Sequence, residues 1–211
     1  MQVYLSSYRW GDRFADLVAR LGTGARVLVV SAATDFIADD ARDAYRRNVH
    51  DPAADLRDAG LQAEELDLRP WFGRPDGLAE LVASADMVWA AGGNAFLLRR
   101  ALRQSGLDRL LLAARARQDF IYGGWSAGAV VAAPSLRGLE LMDDPAVLAD
   151  GYEPAPVWDG LGLVDFAIVP HFESDHPEAE AAQRAHAFMT AQGIAHRTLR
   201  DGEALFLDVA P

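Results

Sequence analysis

The sequence predicts an α/β fold: a mostly parallel sheet with helices on both faces. Three observations carry that expectation. Short apolar runs alternate with helical stretches along the chain, the pattern of parallel strands joined by crossover helices. The clearest run, Arg26-Val27-Leu28-Val29-Val30-Ser31, is continuous rather than alternating, as in a strand covered on both faces. Of the 211 residues, 51% are apolar, ample for a core at this length. No linker, internal repeat or low-complexity segment interrupts the pattern, so one domain over residues 1–211 is expected.

The elements follow in order. A first strand spans 3–6, then a helix over 13–21 sets Phe14, Leu17, Val18 and Leu21 on one face and ends at Gly22 and Gly24. The strand 26–31 comes next. Residues 39–59 read as largely helical, with Gly60 just past the end as a C-cap. A third strand is expected over 61–68, a short helix over 78–85 and a strand over 87–91 that stops at Gly92-Gly93-Asn94. Helices over 96–102 and 107–118 precede the apolar run that leads to Gly123-Gly124. The Pro, Gly and Asp content of 134–159 argues for loops, with a short helix near Val147. A strand over 164–169 closes at Pro170-His171, and a helix spans 177–192 with Pro177 at a permissive first-turn position. Strands over 196–199 and 204–209 close the chain around the turn Asp201-Gly202.

Composition narrows the function. The net charge is −11, which argues against a nucleic-acid surface, since that would be basic. There is no cysteine, so disulfides, thiolate metal sites and a cysteine nucleophile are all excluded. The N-terminal segment has no secretory pattern and no apolar run nears a membrane span, so a cytoplasmic protein with no membrane partner is expected.

Gly124-Trp125-Ser126-Ala127-Gly128 fits the nucleophile-elbow pattern, in which a tight strand-to-helix turn holds the serine hydroxyl clear of the backbone. Ser126 would sit at a helix N-terminus, where free N–H groups and the helix dipole favour developing negative charge. A plain crossover turn that happens to contain a serine is the competing reading. In open parallel sheets, sites form beyond the C-terminal ends of the strands. Three features share that place: Gly92-Gly93-Asn94, Ser126 and His171.

A serine nucleophile needs a base and a group to orient it. Of the five histidines, His50 and His186 read as surface residues on charged helices, His196 as structural, and His176 as a cap or solvent-facing group. His171 alone follows a buried-looking strand at its functional end. Asp201 is one acid that can orient it; Glu140, Asp143, Asp144 and Glu203 compete. The run His171-Phe172-Glu173-Ser174-Asp175-His176-Pro177-Glu178 also invites a metal reading, yet it matches no helical two-histidine signature. Acids before a helix more often serve its first turn. Gly92-Gly93-Asn94 reads equally as an anion cradle with Asn94 as helix cap, or as an ordinary turn. The order serine, histidine, acid departs from the α/β-hydrolase order.

Together, Ala91-Gly92-Gly93-Asn94-Ala95-Phe96-Leu97-Leu98, Gly124-Trp125-Ser126-Ala127-Gly128-Ala129, Val169-Pro170-His171-Phe172 and Leu199-Arg200-Asp201-Gly202 resemble the peptidase E (alpha-aspartyl dipeptidase) family of serine peptidases. Cyanophycinases are more distant relatives, and the implied fold is similar to class I glutamine amidotransferases. The resemblance implies Ser126 as nucleophile, His171 as general base and acid, and Asp201 as third member, where the best-known enzymes carry glutamate. It implies the N–H groups of Gly93 and Ala127 as oxyanion hole, Asn94 as a substrate-binding residue, and neither metal nor organic cofactor. A small peptide is the implied partner, and a homodimer is compatible with it. Aspartyl specificity is not implied. Aligned on Gln183-Arg184, Ala181 stands where those dipeptidases place an arginine, and the chain stops at Pro211, as in a short member without the C-terminal extension. A catalytically silent binding module on the same fold is the alternative, and a metal-dependent hydrolase a more distant one.

Overall fold

The computed structural model describes residues 1–74 and 76–209; the chain end at Pro211 lies outside the described residues. The first half runs β1 (Gln2–Ser6), α1 (Phe14–Leu21), β2 (Arg26–Val30), α2 (Asp39–Asn48), α3 (Pro52–Asp58), β3 (Gln62–Glu65), α4 (Leu78–Ala83) and β4 (Met87–Ala90). It continues through α5 (Ala95–Ser105), α6 (Leu107–Ala113), β5 (Ile121–Trp125), α7 (Ala127–Val130), β6 (Ala167–Val169), α8 (Ala179–Ala191), β7 (His196–Thr198) and β8 (Ala204–Asp208).

Six strands form one sheet in the order β3-β2-β4-β5-β1-β8, parallel except for β8, which runs antiparallel along the edge against β1. The continuous apolar strands feed two cores by simple alternation. Val3, Leu5, Leu28, Val30, Val88 and Ala90 face one side, where α4, α5, α6, α7 and α8 contribute buried residues such as Val82, Phe96, Leu111, Val130 and Met189. Tyr4, Val27, Val29, Met87 and Trp89 face the other, against Leu17 of α1 and Leu56 of α3. The expected α/β architecture with helices on both faces is therefore present.

Several local readings need correction. The helix expected over 39–59 is two helices, because Asp51 caps α3 by accepting from the N–H groups of Ala53 and Ala54, and Pro52 starts that helix. No helix forms near Val147; one short 3₁₀ turn spans Leu139–Leu141 instead. The strand expected over 164–169 is confined to Ala167–Val169, and α8 begins at Ala179, past Pro177. The two closing strands do not pair with each other. β7 joins β6 in a separate parallel pair, while β8 joins the main sheet, so the Asp201 turn bridges two sheets. Among the described residues no helix is long and apolar enough to cross a membrane.

Candidate active site

β5 runs straight into Ser126, whose φ of 44° and ψ of −113° leave the ordinary regions for a non-glycine residue. Such a conformation costs on the order of 1–3 kcal/mol and persists only when its surroundings over-determine it. Here the Ser126 N–H donates to the Ser6 carbonyl at 3.0 Å, and α7 starts one residue later. That helix lies directly on β4: a Cβ at Gly128 would stand 2.0 Å from the Ala90 carbonyl oxygen. At the end of β4, Gly93 has a φ of 136°, and a Cβ there would meet the Ala33 carbonyl oxygen at 2.5 Å. Only glycine fits either place. Ala127 opens α7, where a backbone N–H has no acceptor within its own helix.

His171 follows β6 with a φ of 60°, a second strained position. Its Nε2 lies 3.1 Å from Ser126 Oγ and its Nδ1 2.7 Å from Asp201 Oδ1. With the ring proton on Nδ1, His171 donates to the carboxylate while Nε2 accepts from the serine hydroxyl. The competing acids are occupied elsewhere: Glu140 accepts from the Gly138 N–H, Asp143 from Ala95, Asp144 from Ala146 and Glu203 from Arg200. Aspartate reaches the ring despite its short side chain because the turn is tied down. The Asp201 N–H donates to Ser174 Oγ at 2.8 Å, and Ser7 Oγ donates to Asp201 Oδ1 at 2.8 Å. The same Ser7 oxygen accepts from the His171 N–H at 2.8 Å. Sequence reasoning missed Ser7; its one signal was its place at the C-terminal end of the first strand.

Burial holds the His171 pKa below the ordinary imidazole value, against the opposing hydrogen bond and charge of Asp201. The His176 ring stacks on it at 3.8 Å and 8°, pushing the same way as burial, while Glu178 pushes the other way. Glu178 Oε2 is 3.8 Å from His171 Nε2, and the Glu178 N–H donates to His176 Nδ1 at 3.2 Å. His176 thus lies just ahead of α8, whose N-cap is Glu178, and its ring forms a wall against that of His171. The ligating atoms of His171, His176 and Glu178 lie within 4.8 Å of one another, the metal-compatible cluster found among the described residues. With Nδ1 held by Asp201, a metal could take His171 only at Nε2, which would break its bond to Ser126.

A cavity of about 510 Å³ opens over Ser126 and His171. Gly93 and Asn94 border it, together with Phe36, Ile37, Tyr45, Trp125, Asp143 and Glu178. The Asn94 side chain is committed to structure: Oδ1 accepts from the Leu97 N–H as the cap of α5, and Nδ2 donates to the Asp144 carbonyl. His50 is a correction. It is buried, not a surface residue, with its ring 4.8 Å from that of Trp125 and its Nδ1 3.4 Å from Asp55 Oδ2. His186 and His196 pair with each other at 2.8 Å, away from the cavity.

The model of peptidase family S51 matches residues 12–209. The chain belongs to this family. It is 36% identical over 190 residues to peptidase E of Streptomyces coelicolor, covering 88% of the chain and 69% of that relative. An uncharacterized peptidase of Listeria monocytogenes is 34% identical over 134 residues, and the match spans 61% of the chain and 59% of the relative, less than two thirds of its length. A protein from the same bacterium, whose crystal structure is described as a candidate peptidase E, superposes with a TM-score of 0.74 at 25% identity, covering 98% of this chain and 93% of that one. These likenesses support a peptidase function.

Within this member of family S51, Ala181 lies half-buried on α8 and does not border the cavity. Its neighbour Arg184 points to Glu180 at 3.0 Å on the exposed face. The arginines that do border the cavity are held elsewhere: Arg42 by Asp35 and Asp39, Arg46 by Glu65 at 3.0 Å.

Proposed function

We propose that the chain is a serine peptidase that cleaves dipeptides or small peptides through an acyl-enzyme on Ser126. The observation that carries this reading is the hydrogen-bond chain from Ser126 through His171 to Asp201, set at the strained end of β5. Ser126 Oγ attacks the peptide carbonyl carbon as its proton passes to His171 Nε2, and Asp201 stabilises the imidazolium. The carbonyl oxygen becomes an oxyanion within reach of the Gly93 and Ala127 N–H groups. The C–N bond breaks as His171 returns the proton to the leaving amine. Water then attacks the ester carbon and gives a proton to His171; the bond to Ser126 breaks and the serine recovers that proton. A neutral His171 is the working form, and its desolvation favours that form at neutral pH.

Selectivity for an N-terminal aspartate is not part of this reading. A buried substrate carboxylate is costly without a cationic partner, and the arginines beside the cavity already hold acids. The test is fluorophosphonate labelling with hydrolysis of a dipeptide panel, by wild type and Ser126→Ala. Labelling at Ser126 and a loss of at least about 10³-fold in the variant are expected. Hydrolysis that survives the substitution would refute the mechanism, and a wild type that neither labels nor cleaves would favour a binding module.

A further inference from the structure

Resting on the serine-peptidase reading, we infer a substrate class: unblocked peptides whose first residue carries a bulky uncharged side chain. Two independent parts of the cavity point to it.

The first part concerns the amino group. In an unblocked peptide cut after its first residue, the ammonium sits on the carbon next to the attacked carbonyl. It must therefore lie within a few ångströms of Ser126 Oγ. Glu178 Oε2 is 3.8 Å from His171 Nε2, itself 3.1 Å from that oxygen, and Asp143 borders the same cavity. Among the described ion pairs Asp143 has no cationic partner, and Glu178 meets only the imidazole of His171. Asp143 is anchored through Oδ2, which accepts from the Ala95 N–H at 2.8 Å, so its carboxyl is held in place beside the strand ends. Burial raises its pKa to about 7, and the charge of Glu178 adds to that. A cation bound between the two carboxylates removes both penalties, and hydrogen bonds between such charged groups are the stronger kind.

The second part concerns the side chain. Phe36, Ile37 and Tyr45 are exposed large hydrophobics that border the cavity, and the largely buried Trp125 borders it as well. Contiguous exposed apolar surface beside a cleft marks a binding region. His50, its ring 4.8 Å from that of Trp125 and tilted by 34°, is favoured in its neutral form by burial, which lowers its pKa. The neutral ring adds no charge to the cavity wall beside Trp125. An acidic substrate side chain finds Arg42 and Arg46 already bound to acids. A large apolar one covers surface now facing water.

The experiment uses the full chain as Ser126→Ala, with calorimetric binding of phenylalanyl-alanine, its N-acetyl form, alanyl-alanine and aspartyl-alanine. Phenylalanyl-alanine is expected to bind at least about 10-fold more tightly than the other three, the range of one charge-assisted contact or one buried aromatic side chain. Adding Glu178→Gln or Asp143→Asn should shrink the preference for the free amine about 10-fold and leave the preference for phenylalanine over alanine. Adding Tyr45→Ala should do the reverse. Equal binding of the acetylated form, tighter binding of the aspartyl peptide, or no binding of any would overturn the inference. Fluorophosphonate labelling of wild-type Ser126 reports the parent reading separately: a labelled serine without these preferences sinks the substrate class alone.

Discussion

Asp143→Asn should make this protein more stable above neutral pH, and the structure says why. The wild-type carboxyl is held at the cavity wall by one backbone hydrogen bond, from Ala95, with no cationic partner among the described ion pairs. Burial raises its pKa from 3.8 to about 7. In the unfolded chain the group keeps its ordinary value, so between these two values the folded state holds the proton more tightly. Its contribution is therefore fully favourable below about pH 4 and is lost as pH rises through about 7. One unit corresponds to about 1.4 kcal/mol, so a shift of roughly three units sets a ceiling near 4 kcal/mol. Water in the open cavity relaxes that figure, and about 2 kcal/mol is the working expectation. Asparagine cannot ionise, and its Oδ1 can still accept from Ala95. Urea unfolding of both proteins at pH 4.5, 6, 7 and 8 is the assay, with equal m-values required for comparison. The variant should gain about 2 kcal/mol on the wild type between the lowest and highest pH, some 4–8 °C in Tm for a domain of this size. A stability difference that does not change with pH, or a wild type that gains on the variant as pH rises, would refute the reasoning. The same substitution should weaken binding of unblocked peptides, the usual conflict between a stable fold and a working site.

Other consequences are equally open to measurement. Asp201→Asn should lower kcat by about 10²–10⁴ with little change in thermal stability, because it removes the acceptor that selects the working tautomer of His171. The acid limb of kcat/KM should fall below pH 6.5, since burial lowers the His171 pKa and the neutral ring is the base. Replacing Glu178 with glutamine should move that limb lower still, and replacing His176 with alanine should move it higher. Ser7→Ala should lower kcat about 10-fold and stability by about 1 kcal/mol, since one hydroxyl links Asp201 to the His171 backbone; unchanged kinetics would remove its positioning role. Gly128→Ala should cost at least about 2 kcal/mol in urea unfolding, because the new Cβ would lie 2.0 Å from the Ala90 carbonyl oxygen.

Local chemistry explains what could be read without coordinates. A run such as Val27-Leu28-Val29-Val30 has no polar face, so it must be covered on both sides, and its alternate residues do enter the two cores. Ser126 and His171 were singled out because each stands at a recognisable strand end, whereas Asp201 was one acid among several until the resemblance pointed to it. The break between α2 and α3 was also legible, in an aspartate followed by a proline at the start of a helix, but the surrounding helical composition masked it. That β7 and β8 lie in different sheets was not legible, for another reason. The turn between them is compatible with a hairpin, and strand choice depends on surfaces supplied by β1 and β6, far away in sequence.

The amino-acid order alone therefore determined the alternation of strands and helices, the two-sided burial of the sheet, the sharp turn at Ser126 and the family resemblance. These follow from side-chain polarity, β-branching and glycine, which act over a few residues. Tertiary structure alone decided which acid meets His171, how Ser7 reaches both of them across separations of 164 and 194 residues, and that His50 is buried against Trp125. It also set Glu178 and Asp143 on the wall of the cavity that opens over the serine. Such contacts carry no local signal, because a side chain's polarity reports what it can bond to, whereas its partner is chosen by the packing of strands that are distant in the chain.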